Sequence, residues 1–158
     1  MLNRFISILA TGFGVGYIPI APGTLGTLVA IPIYYFLSEI PFPLYEITLI
    51  GFFFLAVWVS EKAEAVFGKK DDRRIVIDEM MGFFVTMLWV PKTPLIILAG
   101  FILFRFFDIL KPFPIRRFEK VRGGFGVVLD DVMAGVYSNI ILQVISSYFT
   151  LSPGGTVS

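Results

Sequence analysis

Residues 78–91, Asp78-Glu79-Met80-Met81-Gly82-Phe83-Phe84-Val85-Thr86-Met87-Leu88-Trp89-Val90-Pro91, carry two adjacent carboxylates and then no charge at all. A run this apolar, opened by acids and closed by proline, reads as a helix in an apolar medium. The acids favour its start through the helix dipole, and the proline stops it. Four further apolar stretches, at 25–38, 44–60, 94–107 and 131–150, share the chain with it. The predicted fold is all-α: a polytopic helical membrane protein with about five hydrophobic helices. Residues 1–11 precede them as an N-terminal amphipathic segment, expected to lie along the membrane surface.

Composition supports an apolar surrounding. The chain is 56% hydrophobic with a mean hydropathy of +0.84, against about 45–50% apolar residues in soluble domains. Its 158 residues predict a single domain over 1–158. No signal peptide is expected: residues 1–10 hold one base and a short apolar run without a clear cleavage site. Crossing a bilayer takes roughly 17–25 helical residues, so 25–38, 78–91 and 94–107 reach that length only by borrowing from their flanks. A compact helical domain that merely associates with the membrane is the alternative. Pro41 and Pro43 turn the chain after the first stretch, as Pro91 and Pro94 do after the third. Gly12, Gly14, Gly16, Pro19 and Pro22 rule out one continuous helix across that segment.

Charge gives the orientation. With residue 1 inside, the links at 61–75 and 105–130 also lie inside, and twelve of the thirteen Lys and Arg fall there, Lys92 alone outside. The positive-inside rule turns that asymmetry into a topology. Glu39 and Glu46 fall outside, while the other ten of the twelve acids gather inside with the bases. The rule does not require this of acids, so their gathering points to an ion-assisted site at the inner face. Lys69, Lys70, Arg73 and Arg74 read most simply as anchors to anionic lipid. A net charge of +1 gives no argument for nucleic acid.

Two absences narrow the chemistry. Without Cys there is no disulfide, thiolate metal site or cysteine nucleophile. Without His there is no Ser-His triad, histidine ligand or phosphohistidine. Catalysis is left to carboxylates, hydroxyls, Lys, Arg and a hard cation such as Mg²⁺, which prefers oxygen ligands.

The candidate groups fall in three places. Asp78-Glu79 and Asp130-Asp131 each follow a short apolar run and are expected to open a helix. Capping explains either pair alone, but like charges brought together repel, and a divalent cation relieves that repulsion. Ala134 and Gly135 give the last helix a small surface for close packing. Arg105, Asp108 and Lys111 are spaced three apart and share a helix face; an intrahelical ion pair is the plain explanation, but unpaired charge among Phe104, Phe106 and Phe107 is expensive. Lys111, before Pro112, is expected to be extended. Gly123 and Gly124, and likewise Gly23 and Thr24 after Pro22, resemble turns whose backbone N–H groups can approach an anion. Together these are the means of phosphoryl chemistry, in which positioning and charge stabilisation dominate, and the membrane setting points to a lipid phosphate.

At these residues the chain resembles the phosphatidylglycerophosphatase A family of bacterial membrane lipid phosphatases. The likeness runs from Gly12 to about Gly135 through four motifs: residues 19–27, residues 77–82, residues 104–115 and residues 123–135. It implies Mg²⁺-dependent hydrolysis of phosphatidylglycerophosphate to phosphatidylglycerol and phosphate, in acidic phospholipid synthesis. It places a multi-pass protein in the bacterial cytoplasmic membrane, its active site facing the cytoplasm. The expected mechanism uses a metal-activated water, with Asp78, Glu79, Asp130 and Asp131 as metal ligands and Asp108 as ligand or base. Arg105 and Lys111 are expected to bind phosphate, aided by Gly23, Thr24, Gly123 and Gly124. Homo-oligomerisation is left open.

A small transporter or channel with a charged cytoplasmic vestibule is the alternative, disfavoured by short spans with charge at one mouth only. Transfer of a phosphoalcohol from a CDP-lipid would need more spaced Asp residues than the chain has.

Overall fold

The computed structural model describes residues 1–118, 121 and 123–151, the last three by backbone only. Among these residues every regular element is helical. The order is α1 (Leu2–Ala10), a single 3-10 turn (Val15–Tyr17), α2 (Pro22–Leu37), α3 (Leu44–Phe67), α4 (Ile77–Thr86), α5 (Pro94–Leu110), α6 (Ile115–Phe118) and α7 (Gly124–Leu151).

Local chemistry sets several of the ends. Pro22 and Pro94 stand in the first turns of α2 and α5, where a missing N–H costs nothing. Thr93 Oγ1 accepts the Ile96 N–H at 3.3 Å and caps α5. Gly68, with φ 69°, closes α3 in the left-handed region that favours glycine.

The 78–91 stretch becomes the axis of the molecule. α4 packs against α2, α3, α5 and α7, and all its residues except Glu79 are buried. It is shorter than the sequence predicts. Ten residues rise about 15 Å, half of the roughly 30 Å hydrocarbon thickness. The helix stops at Thr86 because Asn139 of α7 reaches over, its Nδ2 donating to the carbonyls of Thr86 at 2.9 Å and Leu88 at 2.7 Å. Among the described residues two helices are long and apolar enough to cross a membrane, α3 with 24 residues and residues 124–148 of α7 with 25. The 16 residues of α2 and 17 of α5 fall below that length.

α7 also starts earlier than expected. Asp130 and Asp131 do not open it; they lie almost two turns inside a helix beginning at Gly124. The glycines there are needed for close packing. A Cβ on Gly124 would strike the Val57 carbonyl of α3, and one on Gly126 the carbonyl of Val121.

Pairwise contacts give the helix directions. Gly82 faces the Asp131 backbone, Gly135 faces the Gly82 carbonyl, and Asn139 meets the end of α4, so α4 and α7 run parallel. Gly100 of α5 meets Thr86 and Leu142, whereas Phe104 meets Gly82, so α5 runs back against both. α3 also opposes α4: Phe52 packs on Phe84, and Gly124 lies against Val57.

The 38–43 and 87–93 connections therefore share one end of the bundle. There Lys92 pairs with Glu39 at 2.5 Å, and the Trp89 indole donates to Glu46 at 3.1 Å. These are the three charges that the sequence assigns to the outer side. At the opposite end α1 is tied on by the Val76 N–H donating to Ala10 at 2.8 Å. It buries Ile6 and Ala10 and leaves Leu2, Phe5 and Ile8 exposed.

Candidate active site

One glycine crossing assembles the acids. Asp78 stands one turn before Gly82 and Asp131 one turn before Gly135, and these two glycines let the α4 and α7 backbones touch. Because the helices are parallel, both carboxylates project at the same level. Ligand oxygens of Asp78, Glu79 and Asp131 lie within 4.8 Å of one another. Asp78 and Asp131 are 6% and 4% exposed. Oδ1 of Asp78 and Oε2 of Glu79 are buried without a hydrogen-bond partner.

α5 delivers the next charges from the opposite direction. Asp108 is a charged neighbour of both Asp131 and Glu79. It pairs with Arg105, Nη1 to Oδ2 at 2.5 Å. Even so, Arg105 Nε and Nη1 lack a well-aligned hydrogen bond and are buried. α2 closes the site through Gly23, where any Cβ would collide with Glu79 Oε1 and lie 3.1 Å from Arg105 Nη1. Glycine is needed there for close approach. Thr24 follows in the same first turn, half-buried.

Asp130 and Lys111 form a separate pair beside this cluster. Lys111 Nζ bonds Asp130 Oδ2, while Asp130 Oδ1 stays buried and unpartnered. The grouping of Asp78, Glu79 and Asp131 does not include Asp130. Lys111 is not extended: it ends α5 in the left-handed region, φ 43° and ψ 63°, its N–H returning to the Phe107 carbonyl at 2.8 Å. That helix cap outweighs the pre-proline preference and turns the side chain toward α7. Gly123 and Gly124 lie against α3 near Glu61 and Val57, not among the three grouped acids.

One feature was not singled out from sequence. Asp71, with φ 48° and its N–H held by Glu64 at 2.6 Å, is a charged neighbour of Asp78 and Asp130. Only its place in the acid-and-base link hinted at this. With Lys70, Gly126 and Asp130 it lines a cavity of about 170 Å³. Arg74, read from sequence as an anchor to lipid, also has a structural part. It grips Asp72 through Nε at 2.7 Å and Nη2 at 2.9 Å and stacks 4.1 Å above Phe67. Those hydrogen bonds hold the Asp72 carboxyl below its ordinary range.

With Lys111 facing Asp130, Arg105 is the cation that the described residues set beside Glu79 and Asp108, so the acids Asp78, Glu79, Asp108 and Asp131 outnumber the positive charge among them. Buried charge of one sign is stable when it is paired, binds a metal or is neutralised by a proton. All-oxygen donors with orphaned lone pairs fit a hard divalent cation, and the open Arg105 donors fit an anion next to it.

The phosphatidylglycerophosphatase A family model matches residues 8–146. The chain belongs to the phosphatidylglycerophosphatase A family. Members of this phosphatase family include a Haemophilus influenzae protein named phosphatidylglycerophosphatase A, 43% identical over 89% of this chain and 88% of its own length. The Escherichia coli protein of that name is 38% identical over 91% and 85%. A Bacteroides thetaiotaomicron protein named a putative phosphatidylinositol-3-phosphatase is 42% identical over 87% and 91%. No solved structure matches the chain. The family match contains all the acids and bases of the site.

Proposed function

We propose that the protein hydrolyses the terminal phosphomonoester of phosphatidylglycerophosphate, giving phosphatidylglycerol and phosphate, with Mg²⁺ as cofactor. The observation that carries this reading is the trio of Asp78, Glu79 and Asp131, its oxygens within 4.8 Å, Asp78 and Asp131 buried and Glu79 half-buried. Family membership supplies the reaction class, and the residues supply the roles. Asp78, Glu79 and Asp131 would hold the cation. When bound, Mg²⁺ polarises a phosphoryl oxygen and lowers the pKa of water.

Arg105, steadied by Asp108 at Nη1, would bind the phosphoryl oxygens through its remaining guanidinium N–H groups. An Arg fork suits this role because its planar donors match phosphate geometry. Asp108, a charged neighbour of Asp131 paired with Arg105, would accept a proton from the attacking water. The Gly23 backbone admits the phosphoryl group close to Glu79 and Arg105. Lys111, fixed by Asp130, adds positive charge at the rim, and Thr24 and the 123–124 glycines stand further out. The membrane setting is bacterial, α3 and α7 crossing the bilayer and the charged end facing the cytoplasm.

Purified protein in mixed micelles should release phosphate from phosphatidylglycerophosphate, stop in EDTA and recover with Mg²⁺. Release that persists in EDTA removes the metal from the reading. Because one relative carries an inositol-lipid name, phosphatidylinositol 3-phosphate is the second substrate to assay. Faster turnover of it would transfer the function to that headgroup.

A further inference from the structure

An apolar crevice of about 510 Å³ lies between α3 and α4, outside the polar site. Its α4 side is formed by Met81 and Val85, with Leu88 and Trp89 just beyond the helix. Asp78, Met81 and Val85 are spaced three and four apart, so they stand on one face of α4. The same stripe that carries a carboxylate at its cytoplasmic end thus continues as the floor of the crevice. On the α3 side Leu49, Ile50, Phe53 and Phe54 form the wall. The far end is closed by the Trp89–Glu46 hydrogen bond of 3.1 Å.

From these observations we infer that the crevice seats one acyl chain of the lipid whose phosphate is hydrolysed at Asp78, Glu79 and Asp131. The inference rests on the phosphatidyl substrate proposed above. Three features select this occupant. The floor begins one turn from the acids, so a headgroup in the site and a chain in the crevice belong to one molecule. The wall residues are aliphatic or aromatic up to the end closure. From Asp78 to the helix end at Thr86 α4 rises about 12 Å at 1.5 Å per residue, most of one leaflet's share of the roughly 30 Å hydrocarbon core. The Trp89–Glu46 closure then gives the seat a finite length.

Ile50 is 58% exposed on the crevice wall, so Ile50→Trp narrows the crevice without disturbing the core, and Val85→Phe narrows it from the floor. The two variants and the parent protein are assayed on dihexanoyl and dioleoyl phosphatidylglycerophosphate in mixed micelles. The expected result is a fall of about tenfold in the dioleoyl-to-dihexanoyl ratio of kcat/KM, carried mainly by KM. An unchanged ratio overturns the inference. A second readout needs no turnover: phosphatidylglycerol with a diazirine in one tail is photolysed in nanodiscs and the label is mapped by mass spectrometry. Label concentrated on Phe53, Met81 and Val85, and lost in Ile50→Trp, supports the seat even if no substrate is hydrolysed, in which case the proposed reaction alone fails. Label spread evenly over outward residues such as Ile47 and Trp58 marks ordinary surrounding lipid and overturns the seat, whatever the activity.

Discussion

Replacing Gly135 by alanine puts a methyl group against the Gly82 carbonyl oxygen, well inside van der Waals contact, with Val85 Cβ at 3.1 Å and the Gly82 carbonyl carbon at 3.2 Å. Two effects compete. Alanine in a helix interior gains about 1 kcal/mol over glycine, whereas forcing an extra carbon into a packed contact costs about 1–3 kcal/mol. The obstructing atoms belong to the α4 backbone rather than to a flexible side-chain tip, so strain wins and α4 and α7 must part by about 1 Å. The net loss of stability is then about 0–2 kcal/mol, small enough for the protein to remain folded. Activity is more sensitive, because that displacement separates Asp131 from Asp78 and Glu79. A misplacement of about 1 Å in a reacting constellation costs on the order of 100-fold in rate. The assay is phosphate release from phosphatidylglycerophosphate at saturating Mg²⁺, alongside a thermal melt in the same detergent. A folded Gly135→Ala protein with near-parental kcat and Mg²⁺ dependence would refute the argument that this crossing sets the acid spacing.

Asp131→Asn should abolish turnover and leave the melt near that of the parent, since it removes charge from a cluster whose acids outnumber the cation beside them; near-normal phosphate release takes Asp131 out of the site. Arg105→Lys keeps the charge but loses the planar fork, so KM should rise about tenfold, worth about 1.4 kcal/mol; an unchanged KM means Arg105 does not touch the phosphate. Asp72 lies below its ordinary value of 3.8 because Arg74 hydrogen-bonds it, so the pair stabilises the fold fully above about pH 4 and progressively less as pH falls through the folded value. Urea midpoints of the parent protein and Asp72→Asn should differ from pH 5 to 8 and converge below pH 4; a constant gap at all pH values would contradict this. Asn139→Leu leaves the carbonyls of Thr86 and Leu88 without their donor and should cost about 1–3 kcal/mol, read as a lowered melting temperature.

Much of the site was legible because charge is conspicuous in so apolar a chain. Asp78, Glu79, Asp108, Asp131 and Arg105 are conspicuous in the sequence, and the three-residue spacing of Arg105 and Asp108 anticipates their ion pair. Gly135 was identified as a packing surface, although its partner Gly82 was not paired with it, since contact across 53 residues leaves no local trace. Helix ends were less readable. The apolar pattern runs past Thr86, and only the long-range reach of Asn139 ends α4 there. Conversely, Gly123 and Gly124 suggested a turn, yet α7 starts at Gly124, where glycine is what fits beside the α3 backbone. The Lys111–Asp130 pair depends on a left-handed cap at Lys111, a conformation that the following proline argued against.

The backbone contact between Gly82 and Gly135 leaves the trio almost no freedom to breathe. Neither helix can draw nearer, and α4 is hemmed in by α2, α3 and α5. An ion held there would be sized by the main chain instead of by pliable side chains. Mg²⁺ takes oxygens at about 2.0–2.1 Å and Ca²⁺ at about 2.3–2.6 Å, so the larger ion would have to wedge the helices apart. Under the proposed function, a gauge of this kind would favour the smaller ion by radius.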